Sequence, residues 1–468
     1  MEEKAILVGL DLTDEFTQLC YYTEAGELYS VSLSKDPMKY RIPTVLCAVR
    51  DSNEWLFGEE ALAAVETASC VRVSGLVELA SQDGALEVFG QSYPADMLLE
   101  RYFRRLLAAL KNKVGATRIS GIVITAKTLN EKLKRNIISA VELLGIRGDS
   151  LRMITHLESF MYYVVSQNKD IWINDVGLFD FDRESFVFYR LSFGRRNLPL
   201  TVVADRTDLT DKINYGMLVP EEEKRFAGDA GADRTNNGTP EPVEAGRGNA
   251  DGYAAGNTGT NRTNYGTPEP VDIDRLIYAF ENTSALVLHK QIVSALYFTG
   301  AGFETSWADE SLKKLCNGRR IFRGQNLYVK GAGYAAVLMF NGGAEDYFLV
   351  GDEVLRSSIS LRAFSDGAYR ETELASIGQR CSEAGAEVEV ILDRTNELDL
   401  IVHNALKKDF ICAIMTLDTL VQRDDRSVRL NIRLRFPDRN TCVITVRDVG
   451  FGEIYRTNHK IWEQVLKI

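Results

Sequence analysis

Two short acidic stretches are the first residues in this chain that could do chemistry. Asp11-Leu12-Thr13-Asp14-Glu15 follows the apolar run Ala5–Leu10, and Asp180-Phe181-Asp182-Arg183-Glu184-Ser185 follows a second run at Val176. Carboxylates gathered at strand ends can hold a hard divalent cation, which favours several oxygen ligands. They also commonly do something plainer, which is to bond the amide groups of their own turns. The spacing is not that of a calcium loop. The four histidines, His156, His289, His403 and His459, have no acid and nucleophile at readable spacing. No Gly-x-Ser-x-Gly or Gly-x-x-x-x-Gly-Lys-Ser/Thr run occurs. Seven cysteines without a C-x-x-C pair point to reduced, buried thiols and away from a zinc or disulfide framework.

The elements that must position these groups are legible in part. Ala5–Leu10, Gln18–Tyr22, Leu28–Leu33 and Thr44–Val49 alternate with turns and read as a β-meander. A helix follows Pro94, with Leu99, Phe103, Leu106 and Leu110 on one stripe. Ile119–Thr125 is a near-continuous apolar strand. Thr128-x-x-Glu131 reads as a capping box opening a helix that carries Leu133, Ile137, Val141 and Leu144 and stops at Gly145. Arg152–Thr155 is a strand, about Leu157–Ser166 a helix, and Val176–Phe181 with Ser185–Leu191 a hairpin. Strand, helix, strand, helix and then a meander define an α/β layered domain. Beyond residues 227–270, Arg275–Asn282 and Leu286–Ile292 read as two helices and Ser294–Thr299 as a strand. Ser306–Cys316 is a helix, Arg320–Phe322 a short strand and Tyr328–Leu338 a glycine-containing helix.

Residues 227–270 differ in kind: no Ile, Leu, Met, Phe or Trp, nine glycines and four of the ten prolines. Such a stretch cannot bury enough apolar surface to offset its chain entropy and is expected to be disordered. An eleven-residue unit occurs in it twice, at 233–243 and 261–271, matching at nine positions. The two copies read as a duplicated linker rather than a solenoid. After about Gly342 the pattern is β-rich: Val428, Leu430, Ile432, Leu434 and Phe436 alternate with Arg429, Asn431, Arg433 and Arg435. Seven arginines between Arg423 and Arg447 fit a solvated sheet face kept from aggregating by charge. The chain is expected to end in a short helix at about Lys460–Lys467.

The 468 residues suggest about three domains, and 45% hydrophobic with 26% charged residues is the composition of a folded globular chain. A net charge of −11 argues against a nucleic-acid partner. No window offers the roughly 18 uncharged apolar residues of a membrane span, and Met1-Glu2-Glu3-Lys4 is not a secretory start. A cytoplasmic protein is expected.

The order of these signals resembles the actin, sugar-kinase and heat-shock-chaperone ATPase superfamily, and within it the DnaK-type chaperones. Val8-Gly9-Leu10-Asp11-Leu12 is similar to the first phosphate-loop strand. Ile119–Thr125 through Met153-Ile-Thr-His-Leu-Glu158 resembles the segment that ends in a catalytic Glu. Gly177-Leu-Phe-Asp180 through Ser185-Phe186 sits where the second phosphate hairpin belongs. Tyr297-Phe-Thr-Gly300-Ala-Gly302 and Lys330-Gly331-Ala-Gly-Tyr-Ala-Ala336 resemble the adenosine turn and the closing helix.

The resemblance implies a two-lobed α/β ATPase-type domain at 1–341, with lobe I about 1–170, lobe II about 171–341 and the 227–270 insertion inside it. A β-rich domain at 342–468 then resembles a chaperone's substrate-binding β-domain. It assigns catalytic roles to Asp11, Glu158, Asp180 and Ser185, with Asp11 and Asp180 holding magnesium through water. Gly300, Gly302, Phe303 and Gly331 would be the nucleotide-binding residues. Yet the loop glycines that let backbone approach a phosphate are absent, and Asp14, Glu15, Asp182 and Glu184 stand in their place. Like charges about 4 Å apart repel by ~1 kcal/mol in water and several times that in a cleft. The expectation is therefore a pseudo-ATPase, a chaperone-related or scaffold protein that binds a protein partner and uses no cofactor. The alternatives are an active chaperone-like ATPase using ATP and magnesium, and an actin-like filament or scaffold protein.

Overall fold

In the computed structural model the described residues are 4–468 except 24–25, 51–53, 68–69, 196, 219–271, 366 and 421–425. The expected disordered linker and both copies of the repeat thus lie outside the described residues. The fold is mixed α/β with several sheets. In the first large sheet the strands run in the order Leu151–Thr155, Arg118–Ala126, Ala5–Leu12, Phe16–Tyr22, Leu28–Val31, and Ile42–Pro43 also pairs with Phe16–Tyr22. Ala5–Leu12 pairs parallel to Arg118–Ala126 and antiparallel to Phe16–Tyr22. Both its faces are covered, which explains its unbroken apolar run. Helices Ala95–Val114 and Glu131–Leu143 pack on one face. His156–Val165 and Leu327–Asn341 pack on the other.

The second large sheet repeats this plan. Its order is Arg320–Arg323, Val293–Thr299, Asp175–Phe181, Phe186–Gly194, Leu200–Asp208, Tyr347–Val350. Again the central strand is parallel to one neighbour and antiparallel to the other. One face shares the core of His156–Val165 and Leu327–Asn341. The other packs a phenylalanine cluster, Phe179, Phe181, Phe186, Phe188, Phe280, Phe298 and Phe303, against helices Ile273–Val287 and Asp309–Leu315. Helix Leu327–Asn341 crosses His156–Val165 and overlies strand Ala5–Leu12 very closely. A Cβ on Gly9 would lie 2.4 Å from the backbone nitrogen of Gly333, and one on Gly331 would lie 2.0 Å from the carbonyl oxygen of Ser159.

Several expectations need correction here. The two helices expected at Arg275–Asn282 and Leu286–Ile292 are one, Ile273–Val287, capped by Asp272. Ser284 sits inside it with its hydroxyl bonded to the carbonyl of Glu281, 3.0 Å away. The helix expected after Thr128 is capped by Asn130, whose side chain accepts from the Leu133 amide at 2.8 Å, so Thr128 and Glu131 form no capping box. The capping box is instead Thr155 with Glu158. Cys47 and Cys70, expected to be reduced, are disulfide-bonded between neighbouring strands with Cα atoms 6.2 Å apart. Their 23-residue separation carries no sequence signal. Tyr347–Val350, assigned from sequence to the C-terminal block, joins the second large sheet beside Leu200–Val203.

The C-terminal block is two four-stranded sheets sharing one core. One runs Ala368–Ala375, Ser357–Ser365, Glu397–Asn404, Phe410–Thr416; the other runs Gly385–Leu392, Val428–Asp438, Thr441–Asp448, Ile461–Lys467. Val428, Leu430, Ile432, Leu434 and Phe436 face inward as their alternation requires. The terminal helix expected at Lys460–Lys467 is a strand, pairing antiparallel with Thr441–Asp448. Trp462, Gln464 and Leu466 turn toward the sandwich while Ile461, Glu463 and Val465 are exposed, a period of two that a seven-residue window conceals.

Candidate functional site

The turn-bearing ends of the two large sheets face each other across a cleft of about 370 Å³. At its base the duplicated plan recurs in the side chains. Asp11, at the end of the first central strand, bonds Nε2 of His156 at 2.8 Å. His156 is the first residue of the helix that follows the first sheet. Asp180, at the end of the second central strand, accepts from the hydroxyl of Tyr328 at 2.6 Å, and Tyr328 opens the helix after the second sheet. The two aromatic rings stack on each other, with centroids 4.0 Å apart and 11° between planes.

Burial pushes the Asp180 carboxyl above its ordinary range, while the Tyr328 hydrogen bond and the His156 ring charge oppose the shift. Burial, together with the Asp180 charge and hydrogen bond, holds the Tyr328 hydroxyl well above its usual value. A carboxyl raised in the folded state favours folding below its unfolded value of 3.8, and that contribution is lost as pH climbs through the folded value. Asp180→Asn keeps the acceptor for Tyr328 and removes the ionisation. Urea unfolding across pH should show the variant gaining on the wild type from about pH 4 upward. A difference that stays flat with pH would contradict this.

The two turns do not present four free carboxylates, as the sequence suggested. Asp14 is spent on the helix Leu76–Gln82, accepting from the amide of Val77 at 2.8 Å and that of Glu78 at 3.1 Å. Burial raises its carboxyl and these bonds lower it, with a net upward shift. Glu15 pairs across the cleft with Arg183 at 3.4 Å. Lys127 reaches Glu184 at 3.4 Å, Asp182 at 3.9 Å and the Ser185 hydroxyl at 3.2 Å. Arg41 pairs with Glu304 and donates to the Gln325 side chain at 3.0 Å. Each such partly exposed pair is worth about 0–1 kcal/mol, and together they link the two sides of the cleft.

The candidate residues fall in different places. Asp11, Asp180 and Gly300 line the cleft. Glu158 is an N-terminal cap, its carboxylate accepting from the Thr155 amide at 2.6 Å and hydroxyl at 2.9 Å, and it is not among the cleft-lining residues. Ser185 is the partner of Lys127. Phe303 is buried in the phenylalanine cluster rather than available to stack on a base. Gly302 is buried, and a Cβ there would meet the Phe181 ring at 2.2 Å. The Gly300 peptide is bonded on both sides by the Gln325 amide, at 3.2 and 3.0 Å. Gly331 serves the helix crossing. Among the described residues no cluster of three or more His, Cys, Asp or Glu could hold a metal ion, so Asp11 and Asp180 are not joined by further protein ligands of that kind. His156, Tyr328, Lys127 and Arg41 were missed in the sequence. Only the start of a helix at His156 hinted at one of them, since nothing in spacing links residues 145 or 148 positions apart.

On the C-terminal block, Arg429 pairs with Glu389 at 2.7 Å and Asn431 donates to Glu387 at 2.9 Å. Arg433, Arg435 and Arg447 stand exposed on the same face. No helix among the described residues is long and apolar enough to cross a membrane.

Two family models match the chain. The chain matches the family described as "Family of unknown function (DUF5716) C-terminal" over residues 27–352, well over half its length, and belongs to it. Residues 354–468, the two-sheet block, match "Domain of unknown function (DUF8552)". No curated protein matches the chain.

Proposed function

We propose that the protein is a two-lobed, DnaK-type relative of the actin and heat-shock-chaperone superfamily that has lost phosphate chemistry and acts as a chaperone-related or scaffold protein for a protein partner. The duplicated sheets and the paired crossing helices support the two-lobed reading. The loss of catalysis rests on one observation. The positions a nucleotide tail would need are occupied by Glu15, Asp182, Arg183, Glu184 and Lys127, which pair with one another across the cleft and leave one net negative charge. A triphosphate would have to break those pairs and then lie beside the freed carboxylates.

The test is thermal unfolding with and without millimolar Mg-ATP. A ligand held by the folded state at 100 times its Kd adds about 2.7 kcal/mol, a shift of several degrees. The expected outcome is no shift and no phosphate release. Micromolar binding with turnover abolished by Asp180→Ala would establish the active ATPase instead.

A further inference from the structure

The C-terminal block has four edge strands, and one is unlike the rest. The edges Ala368–Ala375, Gly385–Leu392 and Ile461–Lys467 carry charges that discourage further pairing: Arg370, Glu371 and Glu373 on the first, Glu387 and Glu389 on the second, Glu463 and Lys467 on the third. The fourth, Phe410-Ile-Cys-Ala-Ile-Met-Thr416, has no charge, no proline and no glycine. Among the described residues it pairs with a strand on one side only, Glu397–Asn404. Phe410, Ile411 and Ile414 are each more than half exposed. An apolar, unprotected edge of seven residues is a template for another strand.

We propose that this edge pairs antiparallel with the same edge of a second copy, forming a two-fold dimer. The flanking charges favour this occupant. Lys407, Lys408 and Asp409 precede the strand and Asp418 follows it, all exposed. With Ala413 on the two-fold axis, Lys408 of each copy lies opposite Asp418 of the other, Phe410 opposite Thr416 and Cys412 opposite Ile414. The segment thus complements itself in charge as a closed two-fold contact demands. The stretch 227–270 is a poor cover for the edge, having no Ile, Leu, Met, Phe or Trp to match it. This inference is independent of how the cleft is read.

The experiment is light scattering on the full chain through a sizing column, at tens of micromolar. The wild type should have twice the chain mass of 52.4 kDa; a monomer at about 100 μM, with or without affinity for an extended apolar peptide, overturns the proposal. Ile414→Lys should be monomeric with an unchanged circular dichroism spectrum, and a dimeric Ile414→Lys would place the contact elsewhere. Lys408→Asp should weaken the dimer about three- to tenfold, and adding Asp418→Lys should restore it to within about twofold. Failure of the double exchange to restore pairing rules out the antiparallel register and with it the proposal.

Discussion

Arg439→Ala should lower unfolding stability by about 3 kcal/mol, the low end for breaking a buried ion pair from one side. Arg439 sits in the turn between Val428–Asp438 and Thr441–Asp448, but its guanidinium reaches out of that block. It donates to the carbonyls of Ala204 at 2.8 Å and Gly351 at 3.1 Å, and it pairs with Asp205. Its side chain is 12% exposed. Asp205 also holds Arg190 at 2.6 Å and Arg356 at 3.7 Å. Burial alone would raise the Asp205 carboxyl, yet these arginines hold it below its usual range. The stability so gained is present above the unfolded value of 3.8 and lost as pH falls through the folded one. Arg439→Lys should recover less than half the loss, since an ammonium cannot fork between carboxylate and carbonyls. Urea unfolding should show the C-terminal block loosening first in the variant. An unchanged midpoint would mean the arginine is incidental.

Gly331→Ala carries the other large effect, a loss of about 3 kcal/mol or more from overpacking. The added methyl would sit 2.0 Å from the Ser159 carbonyl oxygen, a backbone atom that no rotamer change can move aside. The Ser159 hydroxyl is itself committed to the Tyr328 carbonyl at 2.6 Å. The helices would have to part, and the stacked rings at their starts with them. Gly324→Ala is the matched control, since a Cβ there meets nothing within 4 Å and surface changes of this kind stay within about 0.5 kcal/mol. Calorimetry should separate the two by several degrees. Equal melting temperatures would show that the crossing is slack.

Much of the scaffold was legible because its strands are buried in regular ways. Ala5–Leu10 and residues 176–179 announce themselves by unbroken apolar runs, and residues 428–436 by strict alternation. The strand Leu200–Asp208 escaped notice because only its first half is buried while Asp205 to Asp208 end it in charge. Ile461–Lys467 escaped because Trp, Val and Leu suit a short helix as well as a strand. At the site, Asp11 and Asp180 could be picked out by their place after the central strands. Glu158 reads from sequence as either a cap or an acid, and the Thr155 bonds show its place in a capping box. His156 and Tyr328 meet only through the folding of two distant helices, and no local pattern encodes that.

The stacked imidazole and phenol rings bear on how the two large sheets are held together. Each ring is held by a carboxylate from a different sheet, His156 by Asp11 and Tyr328 by Asp180, so the stack ties the ends of the two central strands together. Parallel rings slide over one another at small cost but lose their contact and admit water when pulled apart. Drawing the two strand ends apart would therefore have to break the stack or one of its two hydrogen bonds.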